Sequence, residues 1–439
     1  MASPAPLRWG VLGTGRIARE FAAAIYAAPD NEIAMIAGRS PERTKEMADI
    51  YGGRSTTTEG LGAYTELARD PDVDVIYIAT YQNSHFEHIM LCLSHGKHVL
   101  CEKPMCMNAL EVRAVVTAAK AKGLFFMEGH WTHCWPAAKE AARLVEEGVI
   151  GDLVSVSSDF TFASATNLAL PEFQNKMGGG VTQLAGVYPL CAVVRYLGKP
   201  SEVKAIGYTE QGGDDGGHVD TAATIVMRHE GNRFGQATYG WKGEGAQETV
   251  INGTKGFIVL RSPGMAPTHV TVNVAVARNT YETREIEFEI PKHPEGLPPI
   301  KACHPRSEGM LFEVLDAAEA IRAGAIECPA VPHQVSINLA ETVDEILAQI
   351  GVVYPQTSVS EILANIPEKY GVAQDVAAGK ADPVVQAPSL DPAAPIPKSA
   401  SVAGSETDKS GSSESDAIEV VTARVGERLS VSLTGMEHV

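Results

Sequence analysis

Between residues 7 and 127 short apolar runs alternate with helical patterns, and this alternation limits the chain more than any other feature does. The runs are LRWGVLG, EIAMIAG, DVDVIYIAT, KHVLCEK and LFFMEG. Between them lie helical periodicity around 16–28, the segment PERTKEMADIYG, and helices predicted around 86–95 and 108–122. Parallel strands need crossover connections, so this pattern implies a parallel sheet with helices on its faces. From about 128 the rhythm changes to one helix (AAKEAARLVEEG), one strand (DLVSVSSDFTF), a glycine-led helix and several strand-like stretches between 201 and 291. Helical segments follow around 306–323 and 333–350. The expected fold class is α/β: a doubly wound parallel sheet over 1–127, then an α/β domain over 128–355 with a large, mostly antiparallel open sheet. Residues 356–439 form a C-terminal extension. From about 375 it is rich in Ala, Pro, Ser and Asp, too poor in large apolar residues to offset its ordering entropy, and is predicted to be disordered apart from a weak strand pattern at 417–433. No internal repeat is visible.

A chain of 439 residues is long enough for two or three domains, each with its own core. No apolar run approaches the ~20 residues of a membrane span, and the N-terminus enters a strand pattern without the features of a secretory signal. The seven cysteines, at 92, 101, 106, 134, 191, 303 and 328, form no CxxC pair and fit reduced thiols in a cytoplasmic setting. A net charge of -18 opposes nucleic acid and anionic membranes as partners, which leaves a small molecule.

Gly13-Thr14-Gly15-Arg16-Ile17-Ala18 directly follows the first strand and opens a helix. Glycines here allow a tight turn and let a pyrophosphate approach the helix N-terminus, where unpaired N–H groups favour anions. The second strand ends in Ala37-Gly38-Arg39-Ser40-Pro41-Glu42-Arg43, where an acid would select the free ribose 2′-hydroxyl of NAD. A guanidinium fork with a neighbouring hydroxyl favours a 2′-phosphate, so NADP is expected over NAD. Arg39 stacked on adenine would suit either cofactor. The run KHVLCEKPMCMN ends a buried strand in Glu102-Lys103-Pro104, at the strand end where ligands bind. A surface ion pair before a helix-starting proline is the plainer reading of that tripeptide.

Taken together, LGTGRIA, DVDVIYIAT followed by Asn83, His85 and His88, GKHVLCEKPM, and a GGG run before a tyrosine resemble the Gfo/Idh/MocA oxidoreductase family. LFFMEGHWTHCWPA, GVIGDLVSVSSDF and INGTKGFIVL look like its branch of dimeric dihydrodiol dehydrogenases and NADP-dependent D-xylose dehydrogenases. The resemblance covers about 7–355. It implies a Rossmann domain and hydride transfer between NADP and a carbon bearing a hydroxyl or carbonyl oxygen, on a sugar, dihydrodiol or related molecule. It also implies a homodimer formed through the sheet of the C-terminal domain. Carried over residue by residue, Gly13, Gly15, Arg16, Ile17, Arg39, Ser40, Arg43, Thr80, Glu102 and Lys103 hold the cofactor. Lys103 and Tyr188 form the catalytic pair; His133 and Leu184 are candidates to face the substrate, and Trp131 packs against the domain junction or, as the resemblance also allows, walls the substrate pocket.

Members of this branch usually carry an aspartate four residues before the tyrosine. Here that position is Leu184, and on a regular helix it would share a face with Tyr188. A cation at Lys103 is expected to lower the phenol pKa and so supply the missing help. A leucine cannot bind a sugar hydroxyl, which points to a less polar substrate or an altered reaction direction. A catalytically weak or inactive NADP-binding regulator of the same family is the alternative. His85 and His88 flanking Glu87, and the group His130, His133 and Cys134, have ligand-like spacing but supply no closed four-ligand set, so no metal is expected.

Overall fold

The first strand, β1 (Leu7–Leu12), is buried on both faces, as a central strand of a doubly covered sheet must be. The computed structural model of the chain describes residues 5–164, 170, 173–212, 217–299 and 306–355, and all of them belong to one compact unit. The extension beyond 355, with its predicted disorder, lies outside the described residues. After β1 come α1 (Arg16–Ala27), β2 (Asn31–Ala37), α2 (Pro41–Tyr51), a short β3 (Arg54–Ser55), α3 (Gly62–Arg69), β4 (Val75–Ile78), α4 (His85–Ser94), β5 (His98–Glu102), α5 (Ala109–Lys122) and β6 (Phe126–Gly129). The six strands form one sheet in the order β3-β2-β1-β4-β5-β6, every pairing parallel. The order reverses between β1 and β4, which opens a crevice at their carboxyl ends.

α1 buries Ala18, Phe21, Ala22 and Ile25, and Phe21 stacks on Tyr77 of β4 at 3.6 Å between ring centroids. Each large apolar side chain buried in this way contributes roughly 1.5–3 kcal/mol. Leu12, Ile76, Ile78 and Val99 line the opposite face in a second core cluster. α5 starts at Asn108, whose side chain accepts from the amides of Leu110 and Glu111, and ends at Gly123 in the left-handed region.

The second half begins with α6 (Pro136–Glu146), β7 (Leu153–Thr161) and α7 (Val187–Leu197). Strands β8 (Glu202–Gln211), β9 (His218–His229), β10 (Arg233–Gly240), β11 (Thr249–Gly253), β12 (Gly256–Leu260), β13 (His269–Ala277) and β14 (Thr280–Glu287) follow, then α8 (Met310–Arg322) and α9 (His333–Ile350). The eight strands run in the order β14-β13-β12-β11-β7-β10-β9-β8, antiparallel except for β7 beside β10. α7 packs across β7 and β10, while α9 covers β8 and touches α5 and β6 of the first sheet. Alternation in β9 buries Ala223, Ile225 and Met227 toward the helices and leaves Thr224, Val226 and Arg228 on the open face.

One expectation needs correction. Asn175–Leu197, 23 residues with a mean hydropathy of 1.3, is long and apolar enough to cross a membrane by length and composition. It is 89% buried inside the protein, as a core helix is.

Candidate active site

The GxGxxA turn lies at the crevice where the strand order reverses. Gly13 has φ +123°, and a Cβ there would sit 2.6 Å from the carbonyl oxygen of Ala79, so the turn presses directly on the end of β4. At Gly15 a Cβ would meet nothing within 4 Å, and α1 starts there without a side-chain cap. Open space in front of an uncapped helix N-terminus fits a pyrophosphate. Arg16 beside it is exposed and Ile17 is half-buried against the core.

Of the proposed 2′-phosphate group, Arg39 is exposed at the end of β2. Ser40 instead caps α2: its Oγ accepts from the Arg43 amide at 3.4 Å and donates to Glu42 at 2.7 Å. The Arg43 guanidinium donates to the carbonyl oxygen of Thr14 at 2.9 Å, tying α2 to the glycine turn. Thr80, just past β4, shares a 3.0 Å hydrogen bond with Nδ1 of His88. His85 Nε2 lies 3.0 Å from the Thr80 carbonyl oxygen and Nδ1 lies 2.9 Å from that of Pro104. A neutral imidazole donates one of these bonds. Burial lowers the pKa of each ring, that of His88 to about 4, with His85 and Arg39 adding to the effect. His85 therefore joins the β4 end to Pro104, and His88 braces Thr80, both as uncharged groups.

Lys103 and Tyr188, 85 positions apart in sequence, meet. The Lys103 ammonium stands 4.8 Å from the centre of the Tyr188 ring and donates at 2.6 Å to the carbonyl oxygen of Leu184. Trp131 Nε1 donates to the Tyr188 hydroxyl at 3.3 Å, and Phe160 and His130 meet the phenol ring edge-on. Tyr77 donates at 2.6 Å to Oε1 of Glu102, so this carboxylate is held against the sheet. Burial raises the Glu102 pKa, while the Tyr77 hydrogen bond and Lys103 act in the opposite sense.

Two expectations change here. Burial raises the Tyr188 pKa, Glu102 and Glu313 raise it further, and the Trp131 hydrogen bond only moderates this. The phenol is therefore held neutral, contrary to the lowering expected from Lys103, because a buried phenolate beside carboxylates outweighs one cation above the ring face. Leu184 does not precede Tyr188 on a regular helix either: Thr182–Gly186 form a π-helical turn. The wider turn changes the side-chain spacing and presents the Leu184 carbonyl oxygen to Lys103.

Tyr188 also lines a small cavity of about 20 Å³ with Phe160, His133, Ser158, Asp159, Thr249 and Met265. The Ser158 and Thr249 hydroxyls pair at 2.8 Å, and His133 Nε2 lies 3.2 Å from Cys191 Sγ. Burial next to His130 and Arg195 lowers the His133 pKa well below its usual value, so His133 brings no charge to this wall. Trp131 is buried and acts on the site through Tyr188.

Sequence reasoning missed Asp220. This buried carboxylate accepts from the Thr182 amide at 2.7 Å and the Thr182 hydroxyl at 2.6 Å, fixing the start of the π-helical turn. Its one signal is an acid inside an otherwise strand-like run, HVDTAATIVM. It also missed Glu128, which lies at the end of β6 and accepts from the Met105 amide at 3.1 Å.

The chain matches two family models: the oxidoreductase family with an NAD-binding Rossmann fold over residues 7–130, and the GFO/IDH/MocA C-terminal domain over 138–259. It is 32% identical over 354 residues to a trans-1,2-dihydrobenzene-1,2-diol dehydrogenase of Bos taurus, covering 80% of this chain and 98% of the relative. With the Homo sapiens enzyme of the same name it shares 31% identity over 356 residues, again 80% and 98% of the two chains. Among solved structures, the fold is similar to KijD10, a 3-ketoreductase from Actinomadura kijaniata in complex with NADP and TDP-benzene. There the TM-score is 0.63 and the identity 24%, over 78% of this chain and 98% of that one. It is also similar to levoglucosan dehydrogenase in complex with NADH and levoglucosan, with TM-score 0.66 and 24% identity over 79% and 97% of the chains.

Proposed function

The chain belongs to the Gfo/Idh/MocA oxidoreductase family, and from that premise we propose that it is an NADP-dependent dehydrogenase or reductase of small cyclic alcohols and ketones. The meeting of Lys103 and Tyr188, with the phenol lining a small cavity, carries this reading. Gly13, Gly15, Arg16 and Ile17 hold the pyrophosphate, Arg39, Ser40 and Arg43 the adenosine end, and Thr80, Glu102 and Lys103 the nicotinamide side. NADP rather than NAD follows from Arg39, exposed at the end of β2 where an NAD-selecting chain places an acid. When bound, the nicotinamide supplies or accepts the hydride.

Lys103 binds the reacting oxygen, and Tyr188 gives that oxygen a proton in reduction and takes it back in oxidation. Such acid/base help contributes roughly 100- to 10,000-fold. Held neutral by burial, Tyr188 suits proton donation, so reduction proceeds at neutral pH and oxidation quickens as pH rises. Phe160, Met265 and uncharged His133 line this wall together with Ser158, Thr249 and Asp159, and its large apolar share favours a ring with few hydroxyls, closer to a dihydrodiol than to a free sugar. Ile206, Tyr208, Val226 and Phe234, exposed on the open sheet face, would form the contact of a homodimer. The six cysteines among the described residues are buried free thiols, in agreement with a reducing, cytoplasmic setting.

The experiment is absorbance at 340 nm with NADP or NADPH against trans-1,2-dihydrobenzene-1,2-diol, levoglucosan and cyclic ketones. Turnover that is lost in Lys103→Ala and in Tyr188→Phe supports the reading; turnover retained in Tyr188→Phe removes the phenol from the chemistry. Leu184 in place of a carboxylate favours one second reading, an NADP-binding regulator, which tight NADPH binding without turnover across the panel would support.

A further inference from the structure

The segment that carries Lys103 into the site is held from behind by titratable side chains. His85 meets the Pro104 carbonyl oxygen. Beyond it, alternate amides each donate to a different carboxylate: Met105 to Glu128 Oε1 at 3.1 Å, Met107 to Glu111 Oε2 at 2.9 Å and Ala109 to Asp344 Oδ2 at 2.9 Å. The three acids come from β6, α5 and α9, so they converge only through the fold. Glu128 and Glu111 are 3% and 5% exposed. Desolvating carboxylates is costly, and three of them on six residues is more than a turn requires. Glu111 reaching back past Asn108 resembles a capping box and needs no further purpose; Glu128 and Asp344, 23 and 235 positions from the amides they hold, are not explained that way.

Behind the same segment lies a small cavity of about 20 Å³, lined by Pro104, Met105, Cys106, Met107, Glu128 and Asp344. A space of that size holds about one water, so the three carboxylate bonds add a polar hold on the backbone to the packing around it. Lys103 directly precedes this segment, so the backbone at 104–109 sets the base from which its ammonium reaches the Leu184 carbonyl oxygen and the Tyr188 ring.

We propose that Glu111, Glu128 and Asp344 are positioning residues that clamp the 104–109 backbone and thereby place the Lys103 ammonium for cofactor and substrate. This rests on the reading of Lys103 given above. Burial pushes Glu111 up to about 7, with Asp344 contributing, and pushes Asp344 up to about 6. The amides Gln and Asn, uncharged and with an acceptor oxygen in the same place, are therefore close mimics.

The test is a double-mutant cycle on the full chain, read by NADPH fluorescence titration and by amide hydrogen exchange of residues 103–109. Lys103→Ala measures the NADPH affinity lost with the ammonium itself. Glu111→Ala and Asp344→Ala should each lose part of that affinity, roughly three- to ten-fold, and the loss should not multiply when combined with Lys103→Ala. Exchange at Met107 and Ala109 should rise in the matching variant, and Glu111→Gln and Asp344→Asn should restore both readouts. Losses that multiply, unchanged exchange, or Gln and Asn variants as weak as Ala would overturn the clamp while leaving the role of Lys103 intact. Lys103→Ala binding NADPH as well as the unaltered chain would overturn that role, and this inference with it. Should Glu111→Ala fail to fold, Asp344→Ala on the partly exposed α9 decides the matter alone.

Discussion

At Gly15 an added methyl group would meet nothing within 4 Å, whereas at Gly180 it would lie 2.3 Å from Oδ1 of the buried Asp220. The neighbours of Gly180 are equally crowded: a Cβ at Gly178 would touch the end of Met107, and one at Gly179 the backbone of Phe173. Gly15 of the first run thus faces open space, and the second run is a joint. Gln82 donates to the Gly178 carbonyl oxygen and Tyr354 to that of Gly179, so the joint links the loop after β4 to the π-helical turn and to the end of the chain's described part. Glycine runs in such chains serve binding or packing, and only the neighbours of the missing side chain tell which.

Gly180→Ala should break the second run outright. Its φ of +127° disfavours any side chain, and the methyl would displace a carboxylate that has two hydrogen bonds to keep. Backbone strain and overpacking together predict about 4 kcal/mol of lost stability. Urea unfolding measures it; an unchanged midpoint would mean that the joint yields and that the two runs do not differ.

Asp220 gives the same joint a pH dependence. Burial raises its pKa to about 6 from 3.8, so folding favours the neutral form. Its contribution is full below about pH 4 and is lost as pH rises through about 6, which for a shift near two units is about 3 kcal/mol. Asp220→Asn should remove this slope, its amide oxygen still accepting from Thr182. Because Glu111 and Asp344 are also raised, the quantity to measure is the difference in stability between the two proteins from pH 4 to 8. A difference that stays constant would mean that Asp220 titrates normally.

What was legible in the sequence divides along the same line. Strands β1, β2, β4, β5 and β6 announce themselves as apolar runs bounded by turns, because buried parallel strands need nothing else. Glycine turn, Arg39, Lys103 and Tyr188 could be named from local motifs. The stretch RSTTTEGLGAYTELAR hid β3 and α3: two residues make the strand, and the helix begins at a glycine without a capping side chain. The π-helical turn was hidden because TQLAGVYPL reads as ordinary helix, and Asp220 and Tyr239, 38 and 57 positions on from Thr182, hold its start. The direction of the Tyr188 shift was hidden for a related reason. It depends on burial and on Glu102 and Glu313, and a sequence shows neither depth nor neighbours.

Gly15→Ala tests the first run from the other side. With φ -72° and free space, alanine fits the ligand-free chain, so the melting temperature should not move. NADPH affinity should fall roughly 10- to 50-fold, because the methyl occupies the approach of a pyrophosphate to the helix N-terminus. Binding and stability would then separate cleanly: Gly15→Ala loses the first, Gly180→Ala the second. Equal NADPH affinity would make Gly15 a packing residue like the others and remove the cofactor argument from this turn.

Arg39 sharpens the binding side of the comparison with the smallest expected effect. Its guanidinium is exposed at the end of β2, while its neighbours Ser40 and Arg43 already serve α2 and the Thr14 carbonyl oxygen. Of the three, Arg39 is the one whose loss should leave the fold untouched. A charge-assisted bond to a 2′-phosphate at an exposed site is weakened by solvent and salt, which puts the expected loss in NADP affinity for Arg39→Ala near ten-fold, with NAD affinity unchanged. The loss should shrink as salt rises, since screening acts on the ionic bond and not on adenine stacking. Titrating each nucleotide at low and high salt separates these contributions. If NADP and NAD affinities fall together and without salt dependence, Arg39 stacks on the base, and the preference for NADP must come from Arg43 after it releases Thr14.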